Sequence, residues 1–214
     1  MLYADDTQIY LTLGNEHGVT VDKIENCIKH IIGWYSNYFL LCNTDKTKVI
    51  HFSSKFTSAE PIHVVNIGAD AVQLEPEVCN LGIMLDKHLV MTKQINDVCK
   101  SSYLSLRNLR KIRNYLDQPT TEKLVHAFVC SKIDFCNSLL FGIPMKQLDK
   151  LQRILNAAAR ITIRAKKFQH ITPIFNRLHW LNVAKRIEFK LLTVTYKAIN
   201  GIAPSYISED PVLP

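Results

Sequence analysis

The chain of 214 residues is 47% hydrophobic and 21% charged, with 26 Lys+Arg against 19 Asp+Glu for a formal net charge of +7. An even composition with 7 Gly and 8 Pro excludes low-complexity disorder and collagen-like repeats, and leaves enough apolar residues for the core of one large domain or two small ones. No run approaches the ~18–20 apolar residues that span a bilayer. The richest stretch, Ile28 to Leu41, is broken by Lys29, His30, Ser36 and Asn37, so no membrane partner is expected.

In chain order, Leu2-Tyr3-Ala4 and Thr7 to Leu13 read as two strands around a tight Asp5-Asp6 turn, because Ile9, Leu11 and Leu13 alternate with polar neighbours. A helix is predicted over residues 19–39, with Val21, Ile24, Ile28, Ile31 and Ile32 on one face. Asn43-Thr44-Asp45-Lys46 is turn chemistry and Lys48 to Phe52 a short strand; two or three further strands are expected between Ile62 and Leu85. After Asp86 the period becomes helical. Residues 91–115 place Ile95, Val98, Cys99, Ser102, Leu106 and Leu109 on an inner face, with Lys100, Arg107, Arg110, Lys111 and Arg113 on the outer one. Asp117-Gln118-Pro119 breaks and restarts the helix. Further helices are expected at 120–140, 146–163 and 183–200, with a short one at 173–178. The fold class is therefore α+β, a small antiparallel sheet plus helix over 1–86 followed by an all-helical bundle over 87–214.

Charge divides at the same place. Residues 1–86 hold 5 Lys+Arg and 11 Asp+Glu; residues 87–214 hold 21 and 8. An acidic part suits cations and a basic part suits polyanions such as nucleic acid, although a basic helical surface also serves solubility alone. The six cysteines include no Cys-x-x-Cys pair, so neither a disulfide framework nor a tight zinc site is indicated; a set of Cys130, Cys136, His170 and His179 has no ligand-pair spacing. Reduced, partly buried thiols are expected.

The adjacent carboxylates of Asp5 and Asp6 repel one another unless a cation or water offsets them, and hard divalent ions such as Mg²⁺ prefer such oxygen ligands. Their setting, Tyr3-Ala4-Asp5-Asp6-Thr7-Gln8, resembles motif C of the reverse transcriptases of non-LTR (LINE-type, jockey-like) retrotransposons. Trp34, Phe39-Leu40, Asn43 and Lys46-Thr47 are similar to motif D, with Tyr38 and Lys48 departing from it. Asn80-Leu81-Gly82-Ile83-Met84-Leu85-Asp86 is similar to the primer-grip motif E, with Asn80 in place of an aromatic residue. Downstream, Ser131 to Asn137, Leu151-Gln152, Asn156 to Arg160, His170 to Pro173, Leu178 to Leu181, Arg186 to Lys190 and Tyr196-Lys197-Ala198 resemble the thumb and post-thumb region, in the same order.

The resemblance implies a partial palm followed by a thumb-like bundle, from an RNA-directed DNA polymerase. It implies that Asp5 and Asp6 are metal-site acids using Mg²⁺, and that Lys46 protonates the pyrophosphate leaving group or is simply an exposed turn lysine. It further implies that Leu81 and Gly82 shape the turn under the primer end. The partners implied are an RNA template and an RNA–DNA or DNA primer duplex, its phosphates lying along Lys100, Arg107, Arg110, Lys111 and Arg113 and its site of action the nucleus. Two-metal phosphoryl transfer also needs a motif A acid. The sequence opens two residues before the motif C turn, so the polypeptide is expected not to polymerise DNA alone. The alternatives are a non-catalytic nucleic-acid-binding helical module and a degenerate element product without activity. Trp34 and Trp180 are expected to be packed anchors, His170 and His179 helix-boundary or core residues, Asp134 a cap or ion-pair partner, and Arg160 and Arg186 ion-paired or phosphate-binding.

Overall fold

The structure, a computed structural model, describes residues 2–3, 6–12, 17–56, 64–68 and 70–208. It is a mixed α+β chain that divides into two compact units, Met1–Leu89 and Val90–Pro214. Among the described residues the strands form three two-stranded antiparallel sheets, all in the first unit.

In the first unit, β1 (Leu2–Tyr3) pairs with β2 (Asp6–Thr7), Tyr3 opposite Asp6 and Leu2 opposite Thr7. The predicted strand to Leu13 is not formed: residues 8–12 have no ladder, and Ile9 and Leu11 are exposed. Leu13 lies outside the described residues. Alternation supplies a strand's two faces but not its partner, and β1 offers only two pairing positions. Helix α1 (His17–Asn37) packs on β3 (Val64–Ile67), which pairs in turn with β4 (Asp70–Gln73). Val65 and Ile67 are buried beneath it, and the Glu25 carboxylate accepts from the backbone N–H and the side-chain amide of Asn66 at 2.8 and 3.0 Å.

Lys48 to Phe52 is also not a strand. Its neighbourhood touches two different partners: Val49 bridges Leu74 and accepts from Glu75 N at 2.8 Å, while Ser53 N donates to Lys87 O at 2.9 Å. Bonds that diverge to two segments cannot build one ladder. The unit closes with the hairpin β5 (Glu77–Asn80) and β6 (Ile83–Asp86), making four strands between Val64 and Asp86.

In the second unit, α2 (Thr92–Ile112) and α5 (Met145–Thr162) form the centre, with α3 (Gln118–Val125), α6 (Ile171–Leu178) and α7 (Val183–Ile199) packed on α5. Leu148, Leu151, Leu155, Ala158 and Thr162 recur at steps of three and four along α5, and Ile154 and Ile161 widen that stripe; all are buried. Asp117 caps α3, accepting from Thr120 N at 2.8 Å, and Asn182 caps α7, accepting from Lys185 N at 2.8 Å.

The single helix expected over 120–140 is instead broken. A π-turn (His126–Cys130) follows α3, and α4 (Ser131–Asp134) stops before Cys136, whose φ is +50°. A 3₁₀ turn (Asn137–Leu140) completes the segment. α4 ends at Phe135, whose backbone is extended at φ −65° and ψ 116°, and an extended residue stops the helical bonds whatever the apolar period beyond it. α6 ends on a left-handed residue instead, His179 at φ +53°. Its N–H bonds Asn176 O and Trp180 N bonds Phe175 O, the reciprocal pair that satisfies the last carbonyls, while the Trp180 and Phe175 rings meet edge-on at 6.2 Å. His179 is thus a helix-boundary residue and Trp180 a buried anchor, as expected. Trp34 is not: it is exposed, because it lies a full residue step off the row of Ile24, Ile28, Ile31 and Tyr35. The last helix, α8 (Ser205–Ser208), is one turn.

Candidate functional site

Asp5 lies outside the described residues. Asp6 is described only by its backbone, as the first residue of β2. The two residues after the pair are anchored at long range. Thr7 Oγ1 sits 2.6 Å from the Tyr35 hydroxyl on α1, and Gln8 Nε2 donates to Asn80 Oδ1 at 2.7 Å. The segment that follows β2 is thereby tied to Asn80 at the end of β5. Among the described residues no group of three His, Cys, Asp or Glu side chains could hold a metal ion, so Cys130, Cys136, His170 and His179 form no such set. The Asp5 and Asp6 side chains lie outside the described residues.

Asn43, Lys46 and Thr47 make a capped 3₁₀ turn (Thr44–Lys46): Asn43 Oδ1 accepts from Lys46 N at 3.2 Å, and Thr47 Oγ1 donates to Asn43 O at 2.9 Å. The Asn-x-x-Lys-Thr spacing therefore has a local cause, since Asn and Thr bond their own backbone across three and four residues. The Lys46 side chain is exposed. Lys48 bonds both Glu75 carboxylate oxygens at 3.0 Å.

Leu81 and Gly82 connect β5 to β6 with φ of +46° and +82°. Two central residues with positive φ are the pattern of a tight hairpin turn that matches strand twist, and Gly adopts it freely whereas Leu does not. Leu81 is held there with its side chain exposed.

In the second unit, Lys100, Arg107 and Lys111 recur at seven and four residues along α2, with Arg110 at the edge of that row and Tyr103 exposed beside it. All four cations are exposed, and none has a hydrogen bond or ion pair among the described residues. Arg113 does not join them. It is buried, 8% exposed, and donates to three main-chain carbonyls: Ile161 O at 2.8 Å, Leu116 O at 2.7 Å and Thr162 O at 2.7 Å. Burial lowers its pKa, Arg164 lowers it further, and Asp117 opposes both. Arg113 stands seven residues after Leu106 and four after Leu109, so the spacing itself puts it in the inner row.

No family model matches the chain, and neither a curated protein nor a solved structure matches it.

The segment Ser131 to Asn137 has a structural account of its own. Ser131 Oγ donates to Ala127 O at 2.5 Å, Lys132 Nζ reaches Ser105 Oγ at 3.2 Å on α2, and Ile133 and Asn137 are buried. Asp134 Oδ2 accepts from Arg186 Nη1 at 2.6 Å, so the aspartate and the arginine read as ion-pair candidates are each other's partner. Arg160 instead donates to Gln169 O at 3.2 Å. A cleft of about 430 Å³ among α5, α6 and the start of α7 is lined by Leu148, Gln152, Phe175, Trp180 and Val183. Its central amide is already used, Gln152 accepting from Val183 N and donating to Asn156 Oδ1. Sequence reasoning missed Gln8 and Asn80, which are 72 residues apart and carry no local signal of their pairing.

Proposed function

We propose that the chain is the palm-to-thumb portion of a non-LTR retrotransposon reverse transcriptase, an RNA-directed DNA polymerase. In this reading the first unit carries the motif C acids and the primer-grip turn, and the second carries a duplex along α2. The observation that supports it most is the Gln8–Asn80 hydrogen bond. A polymerase has to hold the primer end beside the acids that position the reacting phosphate, and this bond joins Gln8, two residues after Asp6, to Asn80, the residue before Leu81-Gly82.

Two adjacent carboxylates at a hairpin fit a hard cation such as Mg²⁺, which would supply charge neutralisation at the transferring phosphoryl group. Asp5 and Asp6 would hold it together with a motif A acid, which no segment of these 214 residues resembles. By themselves these residues would bind Mg²⁺ weakly and would not extend a primer. The exposed Lys46 would face the leaving group, and Leu81 and Gly82 would set the height of the primer end. Lys100, Arg107, Arg110 and Lys111 would neutralise duplex phosphates, with Tyr103 alongside; Arg113, its guanidinium occupied by carbonyls, would not.

Two assays test the reading. With poly(A)–oligo(dT), dTTP and Mg²⁺ or Mn²⁺, the isolated polypeptide should incorporate no more label than the Asp5→Asn/Asp6→Asn variant; incorporation above that control overturns the expected inactivity. Titration of an RNA–DNA hybrid should give affinity that falls by about 10³ or more between about 50 and 200 mM salt if six or more phosphates are met. Lys100→Ala, Arg107→Ala and Lys111→Ala should each lower the salt slope by about 1. Binding that ignores salt and these three residues would refute the role given to α2. The unpaired cations of α2 also favour a second reading, a non-catalytic binding module. Equal affinity for hybrid, duplex DNA and single-stranded RNA would select it, because a reverse transcriptase thumb tracks the hybrid.

A further inference from the structure

Helix α7 buries Val183 and Ile187 against the second unit's core. Away from them it carries Phe189, Leu192, Tyr196 and Ile199, each between 63% and 79% exposed. The steps along this row are three, four and three residues, a 3.5-residue period that keeps an apolar seam facing one neighbouring helix. A surface stripe meant only for solvent has no reason to hold that period in four large side chains.

We propose that this seam is where two copies of the chain associate, α7 lying antiparallel on α7. Four arguments select a second copy over other occupants. The first is area. The exposed parts of the four side chains come to roughly 500 Å² per copy, or about 1,000 Å² for the pair, which reaches the lower bound of specific interfaces. The second is shape. Antiparallel packing sets Phe189 opposite the partner's Ile199 and Leu192 opposite the partner's Tyr196, so each aromatic ring meets an aliphatic side chain; a parallel pair would stack like on like.

The third argument is charge. The residues flanking the seam between Phe189 and Asn200 are Thr193, Thr195 and Asn200, all uncharged, while Lys190 and Lys197 are each turned about 100° from the row. A positively charged chain thus meets its copy along a neutral strip. The fourth is dipolar. Antiparallel helices place opposite ends together, so each N-terminus of α7 stands by the partner's C-terminus, with Lys185, which bonds Glu188 at 2.6 Å, beside it. At this area the dimer should be of micromolar strength and should tighten as salt screens the like net charges, opposite in sign to phosphate binding.

The test is sedimentation equilibrium of the nucleic-acid-free 214-residue chain from about 5 to 100 µM, in low and high salt, the range an interface of this size populates. The expected result is a monomer–dimer equilibrium. Leu192→Lys and Tyr196→Glu should each weaken it at least about ten-fold, which places one charge opposite an apolar partner. The double variant should recover most of the loss, because antiparallel pairing sets each new lysine opposite a new glutamate. Helical circular dichroism should be the same in all; Ile199→Lys replaces either single variant that fails to fold. A wild-type chain that stays monomeric overturns the proposal, and so does a dimer that survives the single substitutions. A double variant as dissociated as the singles overturns the antiparallel register.

Discussion

Replacing Arg113 by methionine removes a side chain that closes a helix from the outside. The last carbonyls of α5 have no partner within the helix, and the Arg113 guanidinium serves two of them, Ile161 O and Thr162 O, along with Leu116 O just past α2. Methionine fills a similar volume and donates nothing. Thr162 O is left without a donor at a cost of ~1–3 kcal/mol, while Ile161 O keeps the Arg164 backbone N–H at 3.4 Å and Leu116 O keeps Arg164 Nη2 at 3.3 Å, so each of these loses about 1 kcal/mol. Against this, removing the guanidinium relieves the desolvation and the Arg164 repulsion that depress its pKa. The balance is a loss of about 3 kcal/mol, and over a unit of roughly 125 residues that lowers Tm by about 10 °C. Thermal and urea melts followed by helical circular dichroism measure it. Arg113→Lys should lose about as much, since one ammonium cannot span three diverging carbonyls. Arg107→Met, on the exposed side of the same helix, should stay within about 0.5 kcal/mol of the wild type. A loss below about 1 kcal/mol for Arg113→Met, or a lysine variant as stable as the wild type, would refute the reasoning.

Three other positions have measurable consequences. Leu81→Asn should stabilise the β5–β6 hairpin by about 1 kcal/mol, because Asn accepts positive φ at less cost than Leu; slower amide exchange at Asn80 and Ile83 would show it, and unchanged exchange would count against strain at Leu81. Thiol labelling at about pH 8 should modify the exposed Cys27, Cys42, Cys79 and Cys136 first and leave Cys130 until the chain unfolds, since burial pushes its pKa up to about 11 despite Arg186 nearby. Asp117 is held below its ordinary value of 3.8 by hydrogen bonds from the Thr120 side chain and backbone N–H. Its contribution is complete above pH 3.8 and is lost as pH falls through the lower folded value, so Asp117→Asn should flatten the acid limb of stability there; an unchanged limb would remove Asp117 from the account.

Helices were the legible part of this chain. The rows Leu148–Leu151–Leu155–Ala158 and Ile95–Ser102–Leu106–Leu109 predict α5 and α2 because a helix repeats its own geometry every 3.6 residues, whatever surrounds it. The same row, carried one turn further, contains Arg113; its charge suggests exposure, but its position places it inward. The turn chemistry of Asn43 to Lys46 was legible too, since its bonds span no more than four residues, whereas the Leu81-Gly82 turn was implied only by the resemblance. Asp134 and Arg186 were recognisable as ion-pairing types, although nothing within either segment names the other, 52 residues away.

What the amino-acid order determined by itself, then, is the set of helices, their inner faces, the short capped turns and the division of charge, because each depends on neighbours within a turn or two. Only the tertiary structure decided that Val49 and Ser53 would bond two different segments instead of joining one ladder, that Phe135 would turn extended and end α4, and that Gln8 would reach Asn80. Strand pairing, helix termination and long-range polar bonds are choices among distant partners. Such choices are made by what the folded chain leaves adjacent and unpaired, which no local period encodes.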